Sequence, residues 1–331
     1  MGLPELPGEC GLKPSTSLVP ATSIPQPNLL LRLGRIRRFG TGSVRSVSRR
    51  AAWALGRVLP LSARQTLVAF VGRQKLPAPL RFEFAMGMLT DLRRRDPVAL
   101  HRFLWANHLA YAASYEVPHR FGASKINPTR HVLFDGMAAH LRSRGIDPGT
   151  DIRSVLEIGC SQGYLLRHLE TTLFRSATTL HGLDLDAHAI KTGSDHLDSL
   201  GSRVRLFAAD MEAAESIIGN QAYDVVLCCG VLMYVNESIA EKVVRLMFAR
   251  AARLIGLICL APPQGKRGRH GVRASDGAFI HDLDPLIRKA GGNVLSSCLI
   301  GTPISGSSPS HVIVAEPKRR TAPSRTVDPA S

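Results

Sequence analysis

The stretch Glu157-Ile158-Gly159-Cys160-Ser161-Gln162-Gly163-Tyr164, "EIGCSQGY", admits two incompatible readings. Gly159-x-Ser161-x-Gly163 spells the nucleophile elbow of a serine hydrolase, a sharp strand-to-helix turn that presents a serine for attack. An acidic residue ahead of a glycine-rich turn equally describes a loop that cradles a nucleotide-type ligand. The flanking sequence decides between the two, and with them the fold.

Beyond residue 150 the chain alternates. The short apolar runs "SVLEIG", "TLHGLDLD", "RVRLFAAD", "YDVVLCCG" and "LIGLICLAPP" each end in Gly, Asp or Pro. Between them lie helical stretches, among them "SQGYLLRHLETTLF", "DAHAIKTGSDHLDSL" and "SIAEKVVRLMFARAARL", the last opened by a capping box, Ser238-x-x-Glu241. Strands bounded in this way and alternating with helices predict an α/β fold with a doubly wound, mostly parallel sheet covered on both faces. After a helix near "HDLDPLIRKAGG" the runs "NVLSSCLIG" and "SHVIVAEP" follow with no helix between them, which predicts an antiparallel pair finishing the sheet. Upstream, Asp96-Pro97 and Asn127-Pro128 are helix starts, each with a capping side chain before a proline at the first helical position. They open "VALHRFLWANHLAYAASYE" and "TRHVLFDGMAAHLRSRG", the second stopping at Gly145. The first concentrates Phe103, Trp105, Tyr111 and Tyr115 in a chain only 5% aromatic, as a packing face or a lid over a site.

In a hydrolase of this class the elbow follows several strands, because a loop contributing to the oxyanion hole comes earlier in the chain. Here it follows the first strand, and the downstream acid and imidazole that can be nominated, Asp224 and His311, begin strands. A dinucleotide fingerprint would need glycine at Ser161 and Tyr164. The acids nearby are more informative: Glu157 lies at the end of strand one, Asp184 ends strand two and Asp210 follows strand three. Open α/β sheets bind ligands at the carboxyl ends of their strands, so three carboxylates there suit a ligand bearing an amine, a ribose diol and an exocyclic amino group. The glycines would let backbone N–H groups approach its carboxylate. Each acid has a purely structural alternative, since Asp184 or Asp186, and Asp210, are also placed to cap the next helix.

Over residues 127–317 this constellation resembles the class I S-adenosylmethionine-dependent methyltransferases. Glu157, Gly159 and Gly163 match the family's acid-x-Gly-x-Gly-x-Gly loop, Asp184 in "HGLDLD" its second acid, Asp210 in "AADM" its third, and "YDVVLCCGVLMYV" from Tyr223 to Val235 its fourth strand. The resemblance implies a seven-stranded Rossmann-like sheet of order 3-2-1-4-5-7-6 with the last strand antiparallel, methyl transfer as the activity and S-adenosyl-L-methionine as the cofactor. It further implies that Gly159 and Gly163 line the methionine moiety, Glu157 approaches its amine, Asp184 holds the ribose hydroxyls and Asp210 with Met211 meets the adenine. Cys160, Ser161, Leu185 and Cys229 complete the expected cofactor contacts. Ser161 departs from the pattern by standing where the middle glycine usually does; a positive φ there would cost a serine something.

The acceptor is less legible. The segment Cys229-Gly-Val-Leu-Met-Tyr234 lacks the Asn/Asp-Pro-Pro-aromatic signature of amino-methylating nucleic-acid enzymes and the Pro-Cys of cytosine-C5 enzymes. It also lacks the carboxylates of metal-dependent catechol-type enzymes. Tyr234 is the candidate catalytic or substrate-facing residue, with packing as the alternative. Lys266, Arg267, Arg269 and His270 lie in a loop after strand five and read either as contacts to an anionic substrate or as a solvated loop. The expected function is methylation of a small-molecule acceptor, anionic or lipid-linked. The alternative is an RNA or protein methyltransferase that docks through its basic N-terminal arm.

Charge defines that arm. The 331-residue chain carries a formal +16, of which residues 1–80 supply 12 Lys or Arg against Glu5 and Glu9, hence +10, leaving +6 for the rest. A peripheral contact with an anionic membrane or with nucleic acid therefore belongs to residues 29–80, a solvated arm being the alternative. The stretch "AAWALGRVLPLSARQTLVAFVG" is broken by Arg57, Pro60 and Arg64, too often for a span of about 20 apolar residues. Six cysteines without C-x-x-C spacing suggest a reduced, intracellular chain with no metal site, and the expected location is the cytoplasm. The organisation expected is a disordered leader (1–28), the basic arm with short helices (29–80), a helical cap (81–126), the methyltransferase domain (127–317) and a disordered tail (318–331).

Overall fold

A computed structural model describes residues 47–109, 126–261, 271–272, 277–301 and 309–318. The described residues divide into two compact units, one of residues 47–95 with Leu109 and one of residues 96–108 together with those from 126 onward. In the first unit, helices α1 (residues 47–58), α2 (Leu61–Gly72), α3 (Ala78–Met88) and α4 (Thr90–Arg95) follow one another. Prolines 60 and 77 mark the starts of α2 and α3. Its buried centre includes Val68, Met86, Met88 and Leu89. The helices α1 and α3 touch at a glycine: a Cβ on Gly87 would lie 2.5 Å from the Arg49 carbonyl oxygen. None of the described helices is long and apolar enough to cross a membrane.

The second unit opens with α5 (Pro97–Ala106) and α6 (Pro128–Ser143), capped by Asp96 and Asn127 as their sequences predict, and the short α7 (Pro148–Asp151). Strands β1 (Ser154–Ile158), β2 (Thr179–Asp184), β3 (Val204–Ala208), β4 (Tyr223–Cys229) and β5 (Ala251–Leu260) are parallel and alternate with α8 (Tyr164–Thr171), α9 (Ala187–Ser199), α10 (Ala214–Ile218) and α11 (Glu237–Arg250). A two-stranded ribbon, β6 (Gly271–Val272) with β7 (Phe279–Ile280), and α12 (Leu283–Lys289) precede β8 (Gly292–Ile300) and β9 (Ser310–Pro317). The sheet runs β3-β2-β1-β4-β5-β9-β8, which is 3-2-1-4-5-7-6 when only its own strands are numbered, and β9 is antiparallel to both neighbours. The central strands are buried on both faces, as a crossover-covered sheet requires. One face packs Leu133 and Met137 of α6 and Leu166 and Leu169 of α8; the other packs Val244 and Met247 of α11 and Leu286 of α12.

Three local expectations are corrected. Helix α11 is capped by Asn236, whose side chain accepts from the Ile239 N–H at 3.1 Å, not by Ser238; Glu241 instead pairs with Arg245. Asparagine is as good a cap as serine, and using it begins the helix earlier. The "AARL" assigned to that helix is the start of β5, because Ala251 and Leu254 pair with Tyr223 and Val225 of β4. Helix α5 ends at Ala106, two residues before His108 takes a left-handed φ of 52°. Tyr111 and Tyr115 lie outside the described residues.

Candidate functional site

Where strand order reverses, the carboxyl ends of β1, β2 and β4 open into a cavity of about 270 Å³. Its lining includes Gly159, Cys160, Ser161, Asp184, Leu185, Asp210, Met211, Cys229 and Tyr234, all named from the sequence as site residues, with Trp105, read there as packing or lid, and His101, Arg102 and Arg130, which were not named; Glu157 and Gly163 flank the lining without joining it.

The turn after β1 is built tightly. Gly159 sits at φ 80°, and a Cβ there would lie 2.1 Å from Val231 Cγ2. Ser161 takes φ 51°, the left-handed conformation that glycine adopts more cheaply. Its N–H donates to Asp184 Oδ2 at 2.7 Å, which holds the strained residue in place. The N–H groups of Gly159 and Cys160 both donate to the Leu183 carbonyl, at 2.7 and 3.0 Å. All three N–H groups are thus engaged in tying the turn to β2. For these three groups the expected approach to a ligand carboxylate is replaced by bonds within the protein.

The acids fall into distinct settings. Glu157 is 1% exposed, and among the described residues its Oε2 has no hydrogen-bond partner. Burial pushes its carboxyl up to about 8, against the opposing pull of Arg130 and reinforced by Asp184. Asp184 is pushed up to about 6, burial outweighing the N–H groups of Asp186 and Ser161 that donate to it. It is not the helix cap: Asp186 is, accepting from the Ala189 N–H and pairing with His108 Nδ1 at 2.6 Å. Asp210 combines both of its readings, since Oδ1 accepts from the Glu212 N–H as an N-cap while the residue lines the cavity. Its Oδ2 takes Arg102 Nε at 2.9 Å, and Arg102 Nη2 reaches Glu212 at 2.6 Å. Helix α5 is therefore fastened to the cavity rim through Arg102 and, just past its end, through His108. Arg102→Ala is expected to shift stability by less than about 1 kcal/mol, because the arginine is 43% exposed and its partner Asp210 27%. The same change should weaken cofactor binding severalfold; calorimetric titration beside a melting curve checks both.

Tyr234 closes the far wall. Its ring lies 5.0 Å from the His101 ring and 5.3 Å, edge-on, from Trp105. Burial pushes the Cys229 and Cys259 thiols up to about 12 and Cys160 well above the ordinary range, so these are not nucleophiles. The hydrolase reading fails on geometry. Asp224 sits at the opposite edge of the sheet, accepting from the Arg153 N–H at 2.8 Å and from Arg253 Nε, and His311 faces Ser297 Oγ at 2.7 Å. Lys266, Arg267, Arg269 and His270 lie outside the described residues.

Fold and site together define a ligand site of the class I methyltransferase kind: the strand order, the tight turn after β1 and the buried carboxylates beside it. Residues 155–253 match the family described as a methyltransferase domain. Residues 155–253 accordingly form part of a methyltransferase domain on a sheet of this order, and the cofactor that its motifs imply is S-adenosylmethionine. Similar solved structures include the magnesium protoporphyrin IX methyltransferase of Synechocystis PCC 6803 (17% identity, 67% of this chain and 98% of that one, TM-score 0.47). A methyltransferase of Leishmania major (16%, 67% and 84%, 0.49) and one of Clostridium acetobutylicum ATCC 824 (10%, 62% and 97%, 0.45) are also similar. Identities of this size say nothing about substrate. No curated protein matches the sequence.

The cavity fits this cofactor on its own terms. Arg130 brings a guanidinium to its wall and Gly159 leaves no room for a side chain, while Glu157, next to the lining residue Ile158 but not itself lining the cavity, keeps a buried carboxylate oxygen with no described partner.

Proposed function

We propose that the domain methylates a small-molecule acceptor admitted to the space beside Tyr234, and that Glu157 and Arg130 hold the cofactor's methionine end. The carrying observation is the concave shape and size of the cavity, about 270 Å³, lined by His101 and Trp105 of α5 as well as by the turn after β1. Such a space receives a small ring or chain more readily than a nucleic-acid duplex or a folded protein surface. When bound, S-adenosylmethionine supplies an electrophilic methyl group on a sulfonium. The chain's own contribution is position and desolvation. In this reading Gly159 and Gly163 line the methionine moiety, with Cys160, Ser161 and Cys229 beside it. Asp184 and Leu185 flank the ribose, and Asp210 and Met211 the adenine. Asp184 has lone pairs left for ribose hydroxyls beyond those accepting from Ser161 and Asp186.

Tyr234 acts through its ring, steering the acceptor against Trp105 and His101. Tyr234→Phe is expected to keep kcat/KM within about threefold, and Tyr234→Ala to lower it at least about tenfold by removing the edge-on contact. The deciding experiment is a screen of methyl acceptors with labelled cofactor. Transfer to small anionic or lipid-linked molecules supports the reading, and labelling confined to RNA or protein would overturn it.

A further inference from the structure

Seven of the ten exposed large hydrophobic side chains among the described residues fall within residues 47–76. The concentration is sharpest on α1. Its buried side is Ala52 and Gly56, yet the side facing away carries Val47, Ala51, Ala54 and Val58, at spacings of four, three and four. Val47 and Val58 are 61% and 77% exposed. A water-facing helix normally turns polar residues outward; this one presents an apolar stripe one residue wide and three turns long. Arg50 and Arg57 border the stripe, and the Arg57 guanidinium lies 5.1 Å from the centre of the exposed Trp53 ring. Residues 47–95 hold ten Lys or Arg against Glu83 and Asp91.

Three occupants of such a face can be weighed by charge and shape. A second copy would set Arg50 and Arg57 against their own equivalents. Residues 1–46 are themselves basic, with Lys13, Arg32, Arg35, Arg37, Arg38 and Arg45 against Glu5 and Glu9, and would meet like charge. Nucleic acid would be met by cations and stacked rings, whereas the outermost groups here are aliphatic. An anionic bilayer surface satisfies both halves of the pattern, since aliphatic groups sink among the acyl chains while flanking arginines reach back to the headgroups.

We propose that the outward face of α1, with Val47, Ala51, Ala54 and Val58 at its centre, docks the protein on an anionic lipid surface. The helix lies in the interface plane and does not cross it. The proposal is independent of which acceptor is methylated, and its failure would leave the methyltransferase reading untouched.

The test is co-sedimentation of the full chain with vesicles of phosphatidylcholine containing phosphatidylglycerol, against vesicles of phosphatidylcholine alone. Binding to the anionic vesicles that weakens with salt is expected. Val47→Glu with Val58→Glu should lower the bound fraction at least about tenfold, with the melting curve unchanged because both side chains are exposed. Arg50→Gln with Arg57→Gln, which leaves the stripe intact, should weaken the preference for anionic over neutral vesicles. The proposal is overturned by absence of vesicle binding, or by binding indifferent to the valine changes. Conversion of a dimer to a monomer by those changes without vesicle binding also overturns it, as does loss of RNA binding in its place.

Discussion

Gly159→Ala is expected to lose measurable cofactor binding and to destabilise the protein by about 2–5 kcal/mol. Overpacking contributes about 1–3 kcal/mol and an unfavourable backbone conformation about 1–2. The added methyl would sit 2.1 Å from Val231 Cγ2, closer than real atoms approach, at a φ of 80° that a Cβ resists. The two costs separate experimentally. Val231→Ala in the same chain removes the two methyls nearest the added one but keeps a Cβ 2.9 Å away, so it should restore part of the stability lost to overpacking while the conformational cost stays. Denaturant unfolding of the two single variants and the double variant measures the partition. A Gly159→Ala protein that melts and binds cofactor like the parent would refute the described turn.

The second large effect concerns Glu157, whose carboxyl is pushed up to about 8 by burial. A carboxyl whose folded pKa exceeds its unfolded value keeps its proton in the folded state while the unfolded chain releases it. The unfolded chain then binds fewer protons, and stability falls as pH rises from about 4.5 to about 8. Glu157→Gln removes the ionisation. It should match the parent near pH 4.5 and be the more stable protein at pH 8 and above, by something on the order of 3 kcal/mol. Its cofactor affinity should fall about 10- to 100-fold, because a neutral amide cannot pair with a cation as a carboxylate does. In the parent, affinity should rise toward pH 8, by up to about tenfold per unit below it, as Glu157 loses its proton. Melting curves and calorimetric titrations across pH 5 to 9 test both. Equal melting temperatures throughout would mean that Glu157 is not desolvated as described. A residue that weakens the fold and strengthens ligand binding is one whose burial serves the site.

The sheet was legible because its signals are local. Each strand is an apolar run closed by Gly, Asp or Pro, and Asp96-Pro97 and Asn127-Pro128 cap where capping chemistry says they should. The end of α11 was misread because "AARL" suits a helix by propensity and becomes strand only through pairing with β4. Along the turn after β1, residue type and spacing carried the loop and its acids. They could not carry Arg130 or His101, which reach the cavity from helices elsewhere in the sequence and belong to no motif, and Trp105 was legible only as one of a cluster of aromatics that could pack or cover a site. "NPTR" announced only a helix start. Arg102 was equally silent, since its partners Asp210 and Glu212 stand more than a hundred residues downstream.

The N–H of Ser161 on the Asp184 carboxylate joins two positions that a motif treats as separate. The acid that ends β2 is the clamp that lets a serine occupy a glycine's conformation in the neighbouring turn. Their tolerance to change is therefore conditional. A lineage that kept glycine at 161 would be freer to vary the acid, and one that adopted serine would find Asp184 harder to replace. Across related sequences the two positions should drift as a pair, with serine at the first accompanied by aspartate at the second.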